Sequence, residues 1–183
     1  MAKYNFLFDV DRCLFCHACE IACMQENQLP SHPWTRVVQV GPRLMGDMLF
    51  LDFLQQRCVQ CEDPLCVKAC PVEGAIEKNE DEIVVLNHAR CILCQGCVNV
   101  CPYGALEYNP DKGIIGKCNF CLERLREGRN PSCVHTCMGR ALDMLTEEEL
   151  QLRIDGKKAK RTGLVTYLFN TISRECDYPQ GEA

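Results

Sequence analysis

The sequence contains no long hydrophobic run, and it has few apolar side chains apart from its cysteines. No window approaches the stretch of about 18 apolar residues that a transmembrane helix needs, so no direct membrane span is expected. The hydrophobic fraction of 47% counts 17 cysteines, which leaves little material for a conventional apolar core. The chain therefore needs metal clusters or disulfides to stabilise its fold.

Other absences limit the possible functions. Basic residues are not in excess, since the formal net charge is −5, and nucleic acid is therefore not expected as a partner. The chain offers no nucleophile–base pair, phosphate-binding loop or substrate pocket, so it is predicted not to be an enzyme by itself. Its first residues show no secretory signal and no twin arginine, which predicts a cytoplasmic location with reduced cysteines.

Sixteen of the cysteines fall into four blocks, at residues 13–23, 58–70, 91–101 and 118–137. Block three, followed by Pro102, has the spacing Cys-x2-Cys-x2-Cys-x3-Cys-Pro of bacterial ferredoxins. In that run the first three thiolates bind one [4Fe–4S] cluster, and the fourth binds a different cluster. Block one has the same cysteine spacing, whereas blocks two and four have a longer gap before the third cysteine.

Each block therefore needs a partner block with which it exchanges its fourth cysteine. Blocks two and three are close enough in sequence to form one pair, which leaves blocks one and four to pair around them. The prediction is four [4Fe–4S] clusters held by four sets of ligands. Set I is Cys13, Cys16, Cys19 and Cys137; set II is Cys118, Cys121, Cys133 and Cys23; set III is Cys58, Cys61, Cys66 and Cys101; set IV is Cys91, Cys94, Cys97 and Cys70.

Three other uses of the cysteines compete with this prediction. Structural zinc sites commonly take two ligand pairs separated by a loop, whereas these blocks crowd their thiolates together. The segment from Cys13 to His17 matches the haem c attachment pattern C-x-x-C-H, but covalent haem would consume two ligands of set I. Disulfides are disfavoured by the predicted reducing compartment. The iron and acid-labile sulfide content of the protein separates these alternatives.

The remaining cysteine and the histidines receive weaker predictions. Cys176 is isolated from the blocks and is predicted to be an ordinary free thiol. His17 is predicted to shield or hydrogen-bond a cluster sulfur, and His135 to tune a cluster potential. His32 and His88 lie outside any ligand pattern and are expected at the surface or behind the ligands.

Short strands and helices are predicted between the blocks, which indicates an α+β fold. A capping box at Thr146 and Glu149 predicts a further short helix. The predicted elements are a strand at 3–10, a helix at 18–28, hairpins at 36–40/48–54, 75–77/83–86 and 105–108/114–115, and a helix that begins after Cys121 and ends at Gly128.

The order of the blocks predicts tandem units like bacterial ferredoxins, produced by nested duplication. Residues 58–108 are expected to form an inner unit, and residues 1–57 with 109–145 an outer unit. Residues 146–183 match no part of the repeat. They are predicted to be a C-terminal extension that serves in docking.

At the level of segments, the chain resembles a known family. RCVQCEDPLCVKACP, CPYGALEYNP and KCNFCLERLREGRNPSC are similar to segments of the four-cluster electron-transfer (beta) subunits of molybdenum and tungsten oxidoreductases. These include the subunits of dimethyl sulfoxide, polysulfide and nitrite reductases and of formate dehydrogenase. Small iron–sulfur subunits of tungsten aldehyde oxidoreductases and of class II benzoyl-coenzyme A reductase are similar too. The resemblance extends over roughly residues 3–145, but block four lacks the family's proline after its last cysteine.

The resemblance implies an electron-transfer subunit whose exchanged ligands hold its clusters in a chain. It implies a large catalytic subunit with a molybdenum or tungsten pterin as the partner, and it leaves room for a further electron carrier or membrane subunit. It also allows export as a passenger on a partner that carries the signal. The alternative is a stand-alone polyferredoxin that shuttles electrons between enzymes. A cluster-containing sensor is a third possibility, although no DNA-binding or effector element supports it.

Overall fold

Strand β1 (Asn5–Asp9) lies inside the main sheet and is buried along its whole length. In the computed structural model, which describes residues 4–169, this sheet has the strand order β8-β1-β10-β9. Strand β1 pairs in parallel with β10 (Val165–Phe169) and antiparallel with β8 (Leu142–Leu145). Strand β9 (Lys158–Thr162) pairs antiparallel with β10. Because β1 has a neighbour on each edge and packing on both faces, its three central residues, Phe6, Leu7 and Phe8, are all apolar.

The two faces of this sheet bury different groups. On one face, Leu7 and Leu168 pack against Leu150 of helix α6 (Glu147–Ile154). On the other face, Phe6 stacks on Phe120 with ring centroids 5.7 Å apart. That second face belongs to the larger apolar core, which includes cysteines of blocks one, two and four. The main sheet therefore forms one wall of the region that contains the cysteine blocks.

Three antiparallel hairpins and a series of short helices complete the described chain. The hairpins are β2 (Thr35–Met45) with β3 (Met48–Arg57), β4 (Ile76–Lys78) with β5 (Val84–Leu86), and β6 (Glu107–Asn109) with β7 (Ile114–Gly116). The helices are α1 (Ala18–Glu26), α2 (Leu65–Lys68), α3 (Gly96–Asn99), α4 (Leu122–Arg126) and α5 (Ser132–Thr136), with a 3-10 turn at Val10–Arg12. This mixture of short helices and small sheets confirms the predicted α+β class.

Most of the predicted elements are present with small shifts of their ends. The first strand, the first helix and all three hairpins lie where the sequence places them. Helix α6 begins at the predicted capping box, in which Thr146 Oγ1 accepts a hydrogen bond from the Glu149 backbone amide at 3.3 Å. The helix expected to end at Gly128 already ends at Arg126. Helices α2, α3 and α5, each of four or five residues, were not predicted.

Part of the predicted C-terminal extension belongs to the main sheet, and its role in docking stays a prediction. Residues 158–169 form β9 and β10, and these strands are an integral part of the main sheet. The physical reason is that β10 supplies the parallel neighbour that β1 needs, through bonds such as that from the Phe6 amide to the Leu164 carbonyl at 2.8 Å. Residues 170–183 of the predicted extension, including Cys176, lie outside the described residues.

The turn between β9 and β10 rests directly on block two. The Leu164 amide donates a hydrogen bond to the Val59 carbonyl at 2.8 Å. Gly163, at φ +55°, approaches so closely that an added Cβ would lie 2.3 Å from the Val59 oxygen. Only glycine fits both the left-handed backbone and this close approach. The C-terminal strands therefore support the loop that presents the cysteines of block two.

We expect Gly163→Ala to lower the free energy of unfolding by about 2–5 kcal/mol, since it combines left-handed strain with a backbone clash. The matched control is Gly156→Ala, because Gly156 also has positive φ (+67°) but nothing lies within 4 Å of an added Cβ. The control should lose only about 1–2 kcal/mol. Guanidinium unfolding of the anaerobic protein measures both. Equal losses would show that the contact with block two contributes nothing.

Candidate metal centre

All four cysteine blocks share one local backbone feature. The residue just before the second cysteine of each block has a positive φ angle, between 52° and 59°, although none of them is glycine. These residues are Phe15, Gln60, Leu93 and Phe120. The left-handed conformation costs an L-residue about 1–2 kcal/mol, and such strain is concentrated at functional sites. The shared angle indicates that the blocks are four copies of one chelating loop.

Short helices separate the last cysteine of each block from the others. In block one, Cys19 and Cys23 lie within α1. In the other blocks the third cysteine lies in α2, α3 or α5, and the fourth follows the end of the helix within two residues. Helix α1 packs against α5, and α2 packs against α3. These helix pairs join block one to block four and block two to block three.

The structure brings the predicted ligands together in the four predicted sets. Within set I, the Cys13 and Cys137 sulfurs act electrostatically on Cys19. Within set II, the Cys118, Cys121 and Cys133 sulfurs act in the same way on Cys23. Within set III, the Cys58 and Cys101 sulfurs act on both Cys61 and Cys66. Within set IV, the Cys70, Cys91 and Cys94 sulfurs act on Cys97. That each set binds one cluster stays a prediction.

The sulfurs of the four sets are thiols that differ in exposure. All sixteen cysteines in residues 4–169 are free of disulfides. Cys16 of set I and Cys94 of set IV are exposed, whereas sets II and III contain only buried and half-buried cysteines. Within residues 4–169, no three His, Cys, Asp or Glu side chains are arranged around a single metal ion. A [4Fe–4S] cube makes a different demand, because each thiolate binds a separate iron at its own corner.

Burial makes these thiols hard to ionise by themselves. Desolvation raises the pKa of Cys23 to about 12, and the neighbouring Cys118 sulfur acts in the same direction. Desolvation likewise raises the pKa of Cys121 to about 12 and that of Cys66 to about 11. A thiolate cluster in such a place needs nearby positive charge, which iron ions supply when they bind. The donor set therefore fits a metal cluster better than free thiolates.

Backbone amides already point at several sulfurs. The Ala105 amide donates to Cys101 Sγ at 3.4 Å, and the Ala141 amide donates to Cys137 Sγ at 3.2 Å. In both cases the donor lies four residues after the last cysteine of a block, so the arrangement repeats between blocks three and four. Hydrogen bonds to sulfur of this kind are among the features that set cluster potentials.

Two buried cations next to the sets were not singled out from the sequence. Arg57 is 4% exposed, and its Nη2 donates to Cys118 Sγ at 2.7 Å. Lys117 is 3% exposed, and its Nζ donates to the Cys118 carbonyl at 2.9 Å. A signal was present in the sequence, since each cation directly precedes the first cysteine of a block.

The histidines occupy less central positions than the sulfurs. His17 Nδ1 lies 2.9 Å from Glu20 Oε1, and its ring packs edge-on against Phe15. The predicted hydrogen bond from His17 to a sulfur is thus replaced by a contact with a carboxylate, although His17 does line a small cavity with the set I cysteines. His135 is exposed in the last turn of α5. Its role in tuning a potential stays a prediction.

A larger cavity, of about 300 Å³, was not expected from the sequence. It lies between β3, the turn after Cys101 and the C-terminal strands. Its walls include Arg57, Tyr103 and Tyr167. Within residues 4–169, no helix has the length and apolar character that are needed to cross a membrane.

Comparison with known proteins agrees with this geometry. Residues 49–147 match the family model described as a 4Fe-4S dicluster domain. The chain is 39% identical over 157 residues to the B subunit of anaerobic dimethyl sulfoxide reductase of Escherichia coli (strain K12), with 81% of this chain and 76% of that subunit covered. It is 40% identical over 143 residues to the B subunit of polysulfide reductase of Wolinella succinogenes, with 76% and 74% covered. It is 35% identical over 165 residues to thiosulfate reductase electron transfer subunit PhsB of Salmonella typhi, with 87% and 85% covered.

These matches confirm two of the predictions. The cofactors are [4Fe–4S] clusters. The resemblance to known electron-transfer subunits is not confined to the three quoted segments, because the match to a relative covers 81% of the chain. The matched range of the family model contains blocks two, three and four in full.

The exchange of the fourth cysteine can be tested between blocks two and three. We expect Cys101→Ala to damage the cluster of set III, which block two holds, and to leave the cluster of set IV intact. Its electron paramagnetic resonance spectrum should match that of Cys61→Ala, and it should lose up to about four irons per chain.

The reciprocal variant is the matched control. Cys70→Ala should give the spectrum of Cys94→Ala, because both residues belong to set IV. If Cys101→Ala instead matched Cys94→Ala, each block would hold its own cluster, and the exchange would be wrong.

The left-handed loop residue can be tested at Leu93, which is partly exposed. We expect Leu93→Gly to retain its iron as well as the parent protein, because glycine relieves the strain while adding a similar entropic cost of about 0.5–1 kcal/mol. Leu93→Ile keeps the side-chain volume but adds a β-branch that tolerates positive φ poorly. This variant should be less stable than the parent protein, by about 1 kcal/mol or more of folding free energy. The rate of iron transfer to a chelator measures both. Equal rates for the two variants would contradict the strain.

Proposed function

Because the chain belongs to the family of iron–sulfur electron-transfer subunits of dimethyl sulfoxide, polysulfide and thiosulfate reductases, we propose that it relays electrons to or from a large catalytic subunit that contains a molybdenum or tungsten pterin. The observation that carries this proposal is the approach of cysteine sulfurs from different blocks to one another. Two of the predicted sets also include an exposed cysteine. A bound [4Fe–4S] cluster accepts or releases one electron at a time and keeps its thiolate ligands.

The proposed ligands are the four sets predicted from the spacing. Neighbouring sulfurs support the order I, II, III, IV along the chain of sites. Cys19 of set I acts electrostatically on Cys133 of set II, which supports the placement of these sets side by side. Lys117, next in sequence to a set II ligand, acts on Cys66 of set III. Sets III and IV are adjacent because the packed helices α2 and α3 exchange their last cysteines.

This order has a consequence for where partners bind. Cys16 and Cys94 are the exposed ligands, and they belong to the two sets at the ends of the proposed order. The inner sets contain no exposed cysteine, so electrons should enter and leave at sets I and IV. All sixteen cysteines then serve as ligands and no iron corner is open to substrate, which supports a role without catalysis in this chain.

A second, smaller core supports the inner unit of the proposed domain division, although Cys58, Val59 and Ile83 of that unit belong to the larger core. The smaller core contains cysteines of sets III and IV together with Ile76, Val84 and Leu106. It also includes Ile115 of β7, so we propose that the inner unit extends from residue 58 through residue 116 and not only to residue 108. The outer unit comprises the segments on either side, with α1 packed against α5.

A large partner is supported by the exposed apolar tip of the β2–β3 hairpin. Leu44, Met48 and Leu49 are 73%, 55% and 70% exposed there. Neighbouring apolar side chains in contact with water commonly mark a surface that another protein covers. A cytoplasmic location agrees with sixteen unpaired thiols, since such ligands need a reducing compartment during assembly.

Purification from the native host tests the proposal. We expect the tagged chain, isolated without oxygen, to bring down one large subunit with molybdenum or tungsten and to contain about sixteen irons. A monomeric holoprotein that reduces several unrelated enzymes would instead establish the polyferredoxin shuttle. Iron far below this number would overturn the ligand assignment itself.

A further inference from the structure

Arg57 is a buried cation without a carboxylate partner. It lies at the end of β3, and within residues 4–169 no Asp or Glu forms an ion pair with it. Its guanidinium carbon lies 3.6 Å from the ring centroid of Phe6 and 4.7 Å from that of Phe120. Two aromatic faces offset only part of the cost of burying a cation. A negative group is therefore needed beside it.

The available negative groups are the sulfurs of set II. Nη2 donates to Cys118 Sγ at 2.7 Å, and Nη1 lies 4.0 Å from Cys133 Sγ. The Nε atom is buried and has no hydrogen-bond partner in the described part of the chain. The free Nε donor of Arg57 lies near the sulfurs of Cys118 and Cys133. Such a donor fits a site in which a bound [4Fe–4S] cluster supplies the missing acceptor. The other donors to cysteine sulfurs in residues 4–169 are neutral amides of the backbone and side chains.

Among these hydrogen bonds to cysteine sulfurs in residues 4–169, those from Arg57 therefore differ in coming from a charged donor. Arg57 also reaches across the fold, because its neighbour Cys58 belongs to set III while its guanidinium contacts set II. The effect of such a charge is large because it lies in a region of low dielectric.

We propose that Arg57 raises the reduction potential of the [4Fe–4S] cluster bound by set II. The proposal rests on the proposed function, since it requires that the set II cysteines bind a cluster. Reduction adds one negative charge to the cluster, and a nearby cation stabilises the reduced form more than the oxidised form. The hydrogen bond to Cys118 Sγ acts in the same direction, because it removes electron density from a ligand. Arg57 thus acts on the electron transfer indirectly, by favouring the reduced form of the set II cluster.

The test uses two substitutions with different charge in the complete holoprotein. Arg57→Met removes the cation and keeps an apolar side chain of similar length, whereas Arg57→Lys retains a charge without the planar guanidinium. Potentiometric titration followed by electron paramagnetic resonance measures the midpoint of each cluster. The set II signal is identified as the one that Cys133→Ala abolishes or alters.

We expect Arg57→Met to lower the midpoint of the set II cluster more than any other midpoint, and Arg57→Lys to restore part of the shift. Arg36→Gln is the matched control, since Arg36 is partly exposed on the neighbouring strand and pairs with Glu107. It should leave all midpoints unchanged. The readout is a potential and not turnover, so a merely structural role for Arg57 would not produce this pattern.

Two results would overturn the proposal. Midpoints that are unchanged in Arg57→Met, with full iron content, would show that the cation does not affect the cluster. Loss of the set II cluster in both Arg57 variants would show that the residue is needed for assembly instead. Failure of the proposed function is distinct from either, since the unsubstituted protein would then lack a set II signal altogether.

Discussion

The burial of sulfur ligands is the constraint on which the rest of this structure depends. A thiol that is removed from water resists ionisation, and a second sulfur beside it increases that resistance. Four such groups can act together as thiolates only where positive charge compensates them. Iron supplies most of that charge, but the buried side chains of Arg57 and Lys117 show that the polypeptide contributes as well. Metal binding and folding are therefore coupled, as in other small proteins with a limited apolar core.

The helix pairs follow from the same constraint. A block of cysteines with two-residue gaps can surround three corners of a cube, and the chain must then leave to make room for a fourth ligand. A short helix carries the last cysteine away from its own block, and packing of α1 on α5 and of α2 on α3 brings it to the partner block. In the proposed ligation, each cluster site is closed by a residue distant in sequence. Loss of one ligand should therefore weaken the contact between two blocks.

The sequence was sufficient for the features that depend on local spacing. The cysteine blocks, the three hairpins between turn residues and the capping box of α6 all involve residues near one another in the chain, where spacing and turn chemistry decide. The positive φ angle at Phe15 and Leu93 could not be predicted in this way, since neither residue type favours it. The parallel pairing of β1 with β10 joins opposite ends of the described chain, and hydrophobic pattern alone does not choose between distant partners. Arg57 was missed because burial of a cation depends on tertiary contacts.

The C-terminal strands connect these local and distant features. Strand β10 covers one edge of β1, and the turn before it seats Gly163 against the carbonyl groups of Val59 and Gln60. Gln60 in turn donates to the Cys118 carbonyl at 2.9 Å and accepts from the Val84 amide at 2.9 Å. A single side chain thus joins block two, block four and the β4–β5 hairpin. Rigid support of this kind keeps the ligand loops in place when the charge of a cluster changes, and small reorganisation is what an electron relay requires.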